Sequence, residues 1–185
     1  MRVIAGRARS MPLKTPYGYD TRPTTDRIKE TLFNMLNPYI PEADFLDLFA
    51  GSGQIGIEAL SRGARSATFV EREQRAMRCI EDNVEFTKFK EQSRIVRNDV
   101  LSFVSGLSEV PYDLIFMDPP YGEGLERRVL EILSTKKFVY DTLLVIEADT
   151  RTDFDYIDSL GFRMKKAKVY KTNQHVFIER TKDDE

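Results

Sequence analysis

The apolar positions of this chain follow two rhythms. From residue 44 onward, short apolar runs alternate with stretches whose apolar residues recur at helical spacing. The runs predict strands at 45–49, 66–70, 94–96, 114–117 and 143–146. Helices are predicted at 55–62, closed by Gly63, at 72–86 and at 125–134. Buried strands joined by helices imply a parallel, doubly wound α/β sheet. Beyond it the pattern changes: residues 153–160 read as helical, and 162–170 and 175–179 as two strands joined across 171–174, an antiparallel hairpin closing the sheet edge. At the other end, residues 3–5 and 11–14 flank a small basic stretch and predict a β-hairpin within 1–16. Residues 17–23 read as a loop. Thr24 or Thr25 caps a helix whose Ile28, Leu32, Met35 and Leu36 share a face, and Pro38 and Pro41 end it. The expected organisation is one domain over 1–185: an N-terminal hairpin extension at 1–20, a leading helix segment at 21–40 and the core at 41–185.

Composition changes this picture little. The 185 residues are 41% hydrophobic and 31% charged, as in an ordinary globular chain. No apolar run approaches the roughly 20 residues that cross a bilayer, and the basic N-terminus lacks the apolar core of a secretory signal. A lone cysteine, Cys79, excludes internal disulfides and a cysteine zinc cluster. The expectation is a cytoplasmic monomer that needs no metal. A net charge of −2 argues against a general electrostatic binder of nucleic acid. Residues 1–30, however, hold seven basic side chains against three acidic ones, a local excess of +4 that suits RNA or DNA docking as well as a solvated extension.

The first predicted strand runs into Asp47-Leu48-Phe49-Ala50-Gly51-Ser52-Gly53-Gln54-Ile55-Gly56. Gly51, Gly53 and Gly56 spell GxGxxG, and Glu71 follows Gly51 by 20 positions, the spacing of a dinucleotide site. Glu71 would end the second strand, where a carboxylate accepts from both ribose hydroxyls. Asp47 tips the balance. A carboxylate beside the glycine turn repels a pyrophosphate, whereas S-adenosylmethionine carries a sulfonium and an ammonium group and no phosphate. Asp99, after the third strand, is a candidate acceptor for an adenine amine.

The most specific feature is Ile115-Phe116-Met117-Asp118-Pro119-Pro120-Tyr121-Gly122. Two prolines fix φ and remove two N–H donors, leaving stiff carbonyls at a strand's carboxyl end, where open α/β sheets bind ligands. Asp118 and the Pro119 carbonyl are acceptors aimed at the two hydrogens of an –NH₂ group. An amine on a nucleobase is conjugated with its ring and is a poor nucleophile. Acceptors on both N–H bonds direct its lone pair outward, and a nearby carboxylate stabilises the charge that develops on nitrogen. Tyr121 offers a face for an extruded base. Asp118, Pro119, Pro120 and Tyr121 are therefore the catalytic candidates.

These motifs, with Arg2-Val3-Ile4-Ala5-Gly6 and the Arg22-to-Glu30 run Arg-Pro-Thr-Thr-Asp-Arg-Ile-Lys-Glu, carry a resemblance over nearly the whole chain. It resembles the RsmD-type methyltransferases, which act on a guanine exocyclic amine in bacterial small-subunit ribosomal RNA. The resemblance implies a Rossmann-like class I S-adenosylmethionine methyltransferase with a seven-stranded sheet. Asp47, Gly51, Gly53, Glu71 and Asp99 would hold the cofactor, with Phe49, Ser52, Arg72, Val100 and Asp118 beside them, and S-adenosylhomocysteine would leave. Arg7, Arg9, Arg22, Thr24 and Arg27 would contact ribosomal RNA or a small-subunit assembly intermediate. Ser10-Met11 stands where the family usually has a Gly-Arg or Gly-Lys pair.

Other features stay structural in this reading. His175 is a satisfied strand histidine, Cys79 is core, and Lys165, Lys166, Lys168 and Lys171 form a solvated edge. Tyr17 and Tyr19 pack a loop more simply than they form a lid. The alternatives are a DNA adenine-N6 methyltransferase, which uses the same tetrad, a nicotinamide-dependent oxidoreductase and a non-catalytic RNA-binding module.

Overall fold

The computed structural model describes residues 1–16, 25–138 and 141–181. Helix α1 (Asp26–Leu36) starts where Thr25 accepts the Ile28 amide hydrogen on its side chain, and buries Leu32, Phe33 and Leu36. Then come β1 (Asp44–Leu48), α2 (Gln54–Ser61), β2 (Ser66–Glu71), α3 (Gln74–Phe86), β3 (Ser93–Arg97), α4 (Val100–Gly106), β4 (Glu109–Val110) and β5 (Leu114–Met117). The rest is α5 (Leu125–Ser134), β6 (Lys137–Phe138), β7 (Leu143–Asp149), β8 (Phe162–Val169) and β9 (Asn173–Arg180).

Seven strands form one sheet in the order β3-β2-β1-β5-β7-β9-β8. The first five run parallel, while β9 is antiparallel to both β7 and β8. Strand alternation divides the core in two. Phe45, Phe69, Phe116 and Val145 face α1, α2 and α3; Leu46, Val70, Met117 and Ile146 face α4 and α5. Chain order reverses between β1 and β5, so their carboxyl ends diverge into loops on opposite faces and leave a crevice.

The structure differs from the sequence reading in four places. The N-terminal hairpin contains no strand, only one antiparallel bridge between Arg2 and Pro12. Its amides are divided: Val3 and Leu13 donate across the hairpin to the Met11 and Met1 carbonyls and Ser10 donates to Val3, whereas Ile4 and Ala5 donate to the Glu58 carboxylate and Ala8 to the Ser61 hydroxyl, both on α2. Val3, Ala8 and Leu13 are buried in the core, so the segment is packed into the domain. The helix expected at 153–160 is a run of turns ending in one 3₁₀ turn, Asp158–Leu160. There the Asp153 carboxylate takes the Asp155 amide, competing with helical bonding. Helix α4 was not expected, because seven residues give little periodicity; Asp99 caps it by accepting the Ser102 amide at 3.0 Å. The two-residue strands β4 and β6 form a separate small parallel sheet.

Candidate active site

At the end of β1, Asp47 points to the α2 face and is only 2% exposed. Its Oδ2 accepts the Gly56 amide hydrogen at 3.0 Å, tying the strand to the first turn of α2. Burial pushes its carboxyl up to about 7; the Gly56 hydrogen bond opposes that shift and the Glu71 charge adds to it. Between them the chain doubles back with Phe49 at φ 63, Gly51 at φ 57 and Gly53 at φ 76. Phe49 is a left-handed non-glycine, strain of a kind that concentrates at functional loops. Behind the loop, Asn83 donates to the Ser52 carbonyl at 2.9 Å. The Glu71 carboxylate closes the other side: Oε2 accepts from the Gly51 amide at 2.9 Å and Oε1 from Glu73 at 2.8 Å. Arg72 is exposed, with its guanidinium 3.8 Å from Glu73. Asp99, exposed at the end of β3, spends Oδ1 on the α4 cap, and Val100 beneath it is buried.

The proline corner rises from the neighbouring strand. Met117 pairs with Leu48 on one side and Ile146 on the other, so Asp118 leaves the sheet beside the β1 loop. Pro119 is buried, but Pro120 and Tyr121 are exposed, Tyr121 at 48%. Burial raises the Asp118 carboxyl well above its usual range, and the charges of Glu147 and Asp47 raise it further. The Tyr121 hydroxyl is likewise raised, first by burial and then by Glu147 and Asp118.

One strand edge thus carries Asp47, Phe49, Gly51, Ser52, Gly53, Glu71, Arg72, Asp99, Val100 and the 118–121 tetrad, at the carboxyl ends of β1, β2, β3 and β5. Arg7 is elsewhere. Its guanidinium donates to the Leu60 carbonyl and to Gln92, and lies 5.1 Å from the Phe89 ring centre. Those partners sit at the end of α2 and the start of β3, the opposite edge of the sheet. Arg9, exposed, belongs to the same tip, and Arg27 is exposed on the first turn of α1. Arg22, Thr24, Tyr17 and Tyr19 lie outside the described residues. Sequence reasoning missed Glu147, which follows Ile146 on β7 and is buried beside Asp118 and Tyr121. The signal was available: Leu143-Leu144-Val145-Ile146-Glu147 is another apolar run ending in an acid.

A doubly wound sheet of this order, with an acidic glycine loop beside an Asp-Pro-Pro-Tyr corner, defines the class I methyltransferase fold. A solved chain described as "Putative methyltransferase yhhF from Escherichia coli" superposes with a TM-score of 0.85 at 32% identity, covering 99% of each chain. The family described as Conserved hypothetical protein 95 matches residues 1–179. The chain is 37% identical over 145 residues to Ribosomal RNA small subunit methyltransferase D of Escherichia coli (strain K12), covering 78% of this chain and 72% of that protein. It is 35% identical over 173 residues to the protein of the same name from Haemophilus influenzae, covering 91% and 88%. The chain belongs to this family.

Proposed function

We propose that the protein transfers a methyl group from S-adenosylmethionine to the exocyclic amine of a guanine in small-subunit ribosomal RNA. The observation that carries the reading is the placement of Asp118, beside Glu147 and one strand away from the Asp47 loop, at the rim where Tyr121 is exposed. Small-subunit ribosomal RNA is what the curated relatives are named for, and the guanine comes from the family resemblance alone.

The residues of this edge fit the cofactor. Asp47 is a buried acid that suits a cationic ligand group, and Glu71 presents two carboxylate oxygens held by backbone amides alone. Beyond Gly51 there is open space, where an added Cβ meets nothing within 4 Å. A dinucleotide fits less well, because the Asp47 carboxylate already occupies a helix-start amide, that of Gly56, which a pyrophosphate would use.

Bound there, S-adenosylmethionine supplies a methyl group on a positively charged sulfur. Glu71 would accept from the ribose hydroxyls and Asp47 would face the ligand's positive end. Positive charge nearby favours ionised carboxylates, so ligand binding draws Asp47 and Asp118 back toward the charged form. The ionised Asp118 and the Pro119 carbonyl then accept the two N–H bonds of the target amine, and Tyr121 stacks against its ring. Once nitrogen carries the methyl group it must lose a proton, and the Asp118 carboxylate, whose affinity for protons the site raises, is placed to take it. Much of the remaining acceleration is alignment of two bound reactants.

The test is incubation with methyl-labelled cofactor and three substrates: unmodified small subunits, stripped ribosomal RNA and duplex DNA. Label recovered as N2-methylguanosine in small-subunit RNA supports the reading. Label appearing as methyladenine in DNA, or none in any substrate, overturns it.

A further inference from the structure

Glu147 is an acid inside a sheet. It sits on β7 one step past the Met117–Ile146 pair, directly beside Asp118, and is 6% exposed. Burying a carboxylate costs several kcal/mol unless it is paired, and here a second acid is its neighbour. Its partners are unusually fixed. Across the ladder it faces His175 on β9, with His175 Nε2 3.1 Å from Glu147 Oε2. Asn173 donates to Oε1 at 2.7 Å. His175 is fully buried and boxed in: the Phe116 ring meets it edge-on at 6.4 Å, the Tyr170 ring at 5.3 Å, and the Tyr170 hydroxyl lies 3.3 Å from Nδ1. The imidazole cannot turn without repacking both rings. The Glu147 carboxyl is therefore held from β9 in one orientation.

We propose that Glu147, clamped by His175 and Asn173, is a positioning residue for the methyl transfer: it fixes the Tyr121 ring at the mouth of the site and holds a second negative charge against Asp118. This rests on the reading of the 118–121 tetrad given above. The groups facing Glu147 are Asp118 from β5, with Asp47 of β1 beyond it, Tyr121 from the following loop, His175 and Asn173 from β9, and Tyr170 after β8. Among the described residues no lysine or arginine pairs with it. The Tyr121 hydroxyl lies near enough to the Glu147 carboxylate for that acid to raise its proton affinity, so a bond between them would anchor the far end of a ring that is 48% exposed at the rim. The negative charge also gives Asp118 a higher affinity for the proton that the methylated amine sheds. A buried pair that served packing alone would be better replaced by apolar side chains.

Glu147→Gln removes the charge and keeps the shape. Two measurements read it. Carboxyl-carbon NMR of the cofactor-free protein follows Asp118, and the pH profile of kcat follows the working enzyme. Both acid-side transitions are expected about one pH unit lower in the variant, because a neighbouring negative charge is gone. S-adenosylhomocysteine affinity is expected to stay within about twofold. Tyr121→Phe, which deletes only the hydroxyl, reads the anchor: it is expected to lower kcat about five- to tenfold at unchanged thermal stability, the worth of a hydrogen bond that holds the ring. An Asp118 transition that does not move, or a fully active Tyr121→Phe, overturns the proposal. Should Glu147→Gln fail to fold, the Tyr121→Phe result alone decides. The NMR titration needs no activity, so an inactive wild-type enzyme would sink the functional reading and leave this one still tested.

Discussion

The Asp47 carboxylate accepts the Gly56 amide hydrogen at 3.0 Å, joining the carboxyl end of β1 to the first turn of α2. That bond places a nearly inaccessible acid beneath the glycine loop, and burial lifts its carboxyl to about 7. Near neutral pH, without ligand, that carboxyl is therefore close to half protonated.

Cofactor affinity should rise with pH for this reason. If Asp47 must ionise before the ligand's ammonium group is accommodated, S-adenosylhomocysteine binds about tenfold more tightly at pH 8 than at pH 6. Calorimetry in buffers of different ionisation enthalpy should register proton release on binding. Stability runs the other way. The unfolded carboxyl loses its proton near 3.8 and the folded one only near 7, so the ligand-free fold loses stability as pH climbs between those values. Asp47→Asn should flatten both dependences, and an unchanged affinity profile in that variant would remove Asp47 from the role.

The glycines of the loop should separate by what surrounds them. A Cβ on Gly56 would come within 2.4 Å of Phe69 Cε1, where α2 lies against β2, and that ring is fully buried. Gly56→Ala should cost about 1–3 kcal/mol in urea unfolding. Gly51→Ala meets no neighbour within 4 Å and pays only for φ 57, about 1–2 kcal/mol. Its larger effect should fall on S-adenosylhomocysteine affinity. Equal stability losses with equal affinities would contradict this division.

The parallel sheet was legible because each strand is a short apolar run whose two faces are both covered; residues 114–117 are strand in the pattern and strand in the structure. The Asp47, Glu71 and Asp118 positions were legible for a related reason, since acids at the ends of buried strands stand out. What stayed hidden depends on partners remote in sequence. The N-terminal segment reads as a hairpin, and nothing in its pattern shows that Glu58, 54 positions from Ile4, takes the Ile4 and Ala5 amides. Arg7 reads as a nucleic-acid contact, and the pattern gives no sign that Gln92, 85 positions away, accepts from its guanidinium. Glu147 gains its meaning from His175, 28 positions on, and a histidine in a strand gives no sign of what lies across the ladder.

Glu58 should be among the most costly residues to remove. Fully buried, it accepts from the Ile4 and Ala5 amides and from Arg62 at 2.8 Å, and lies 3.7 Å from the buried Lys29 ammonium. Glu58→Ala strands that cation and two amides and should cost about 3–5 kcal/mol. Lys29→Met should cost much less, since Glu58 keeps its other three partners. Lys29 bears a burial penalty that lowers its proton affinity, and Glu58 only partly offsets it. Similar losses in the two variants, measured by urea unfolding, would show that the network is not arranged around Glu58.

Asp118 should show the opposite balance between stability and function. Its carboxyl is held above the usual range by burial and by Glu147 and Asp47, so the folded protein pays for its ionisation as pH rises. Asp118→Asn removes that penalty, and at pH 8 the variant should unfold at a higher temperature than the wild type. An amide, however, points one donor where the target amine needs an acceptor and carries no charge to answer the charge developing on nitrogen. The kcat for RNA methylation should fall at least about a hundredfold, while S-adenosylhomocysteine affinity changes by no more than severalfold. A gain in stability coupled to that loss is the mark of a group kept for chemistry. Were the variant more stable and fully active, the amine would have to be oriented by backbone carbonyls alone.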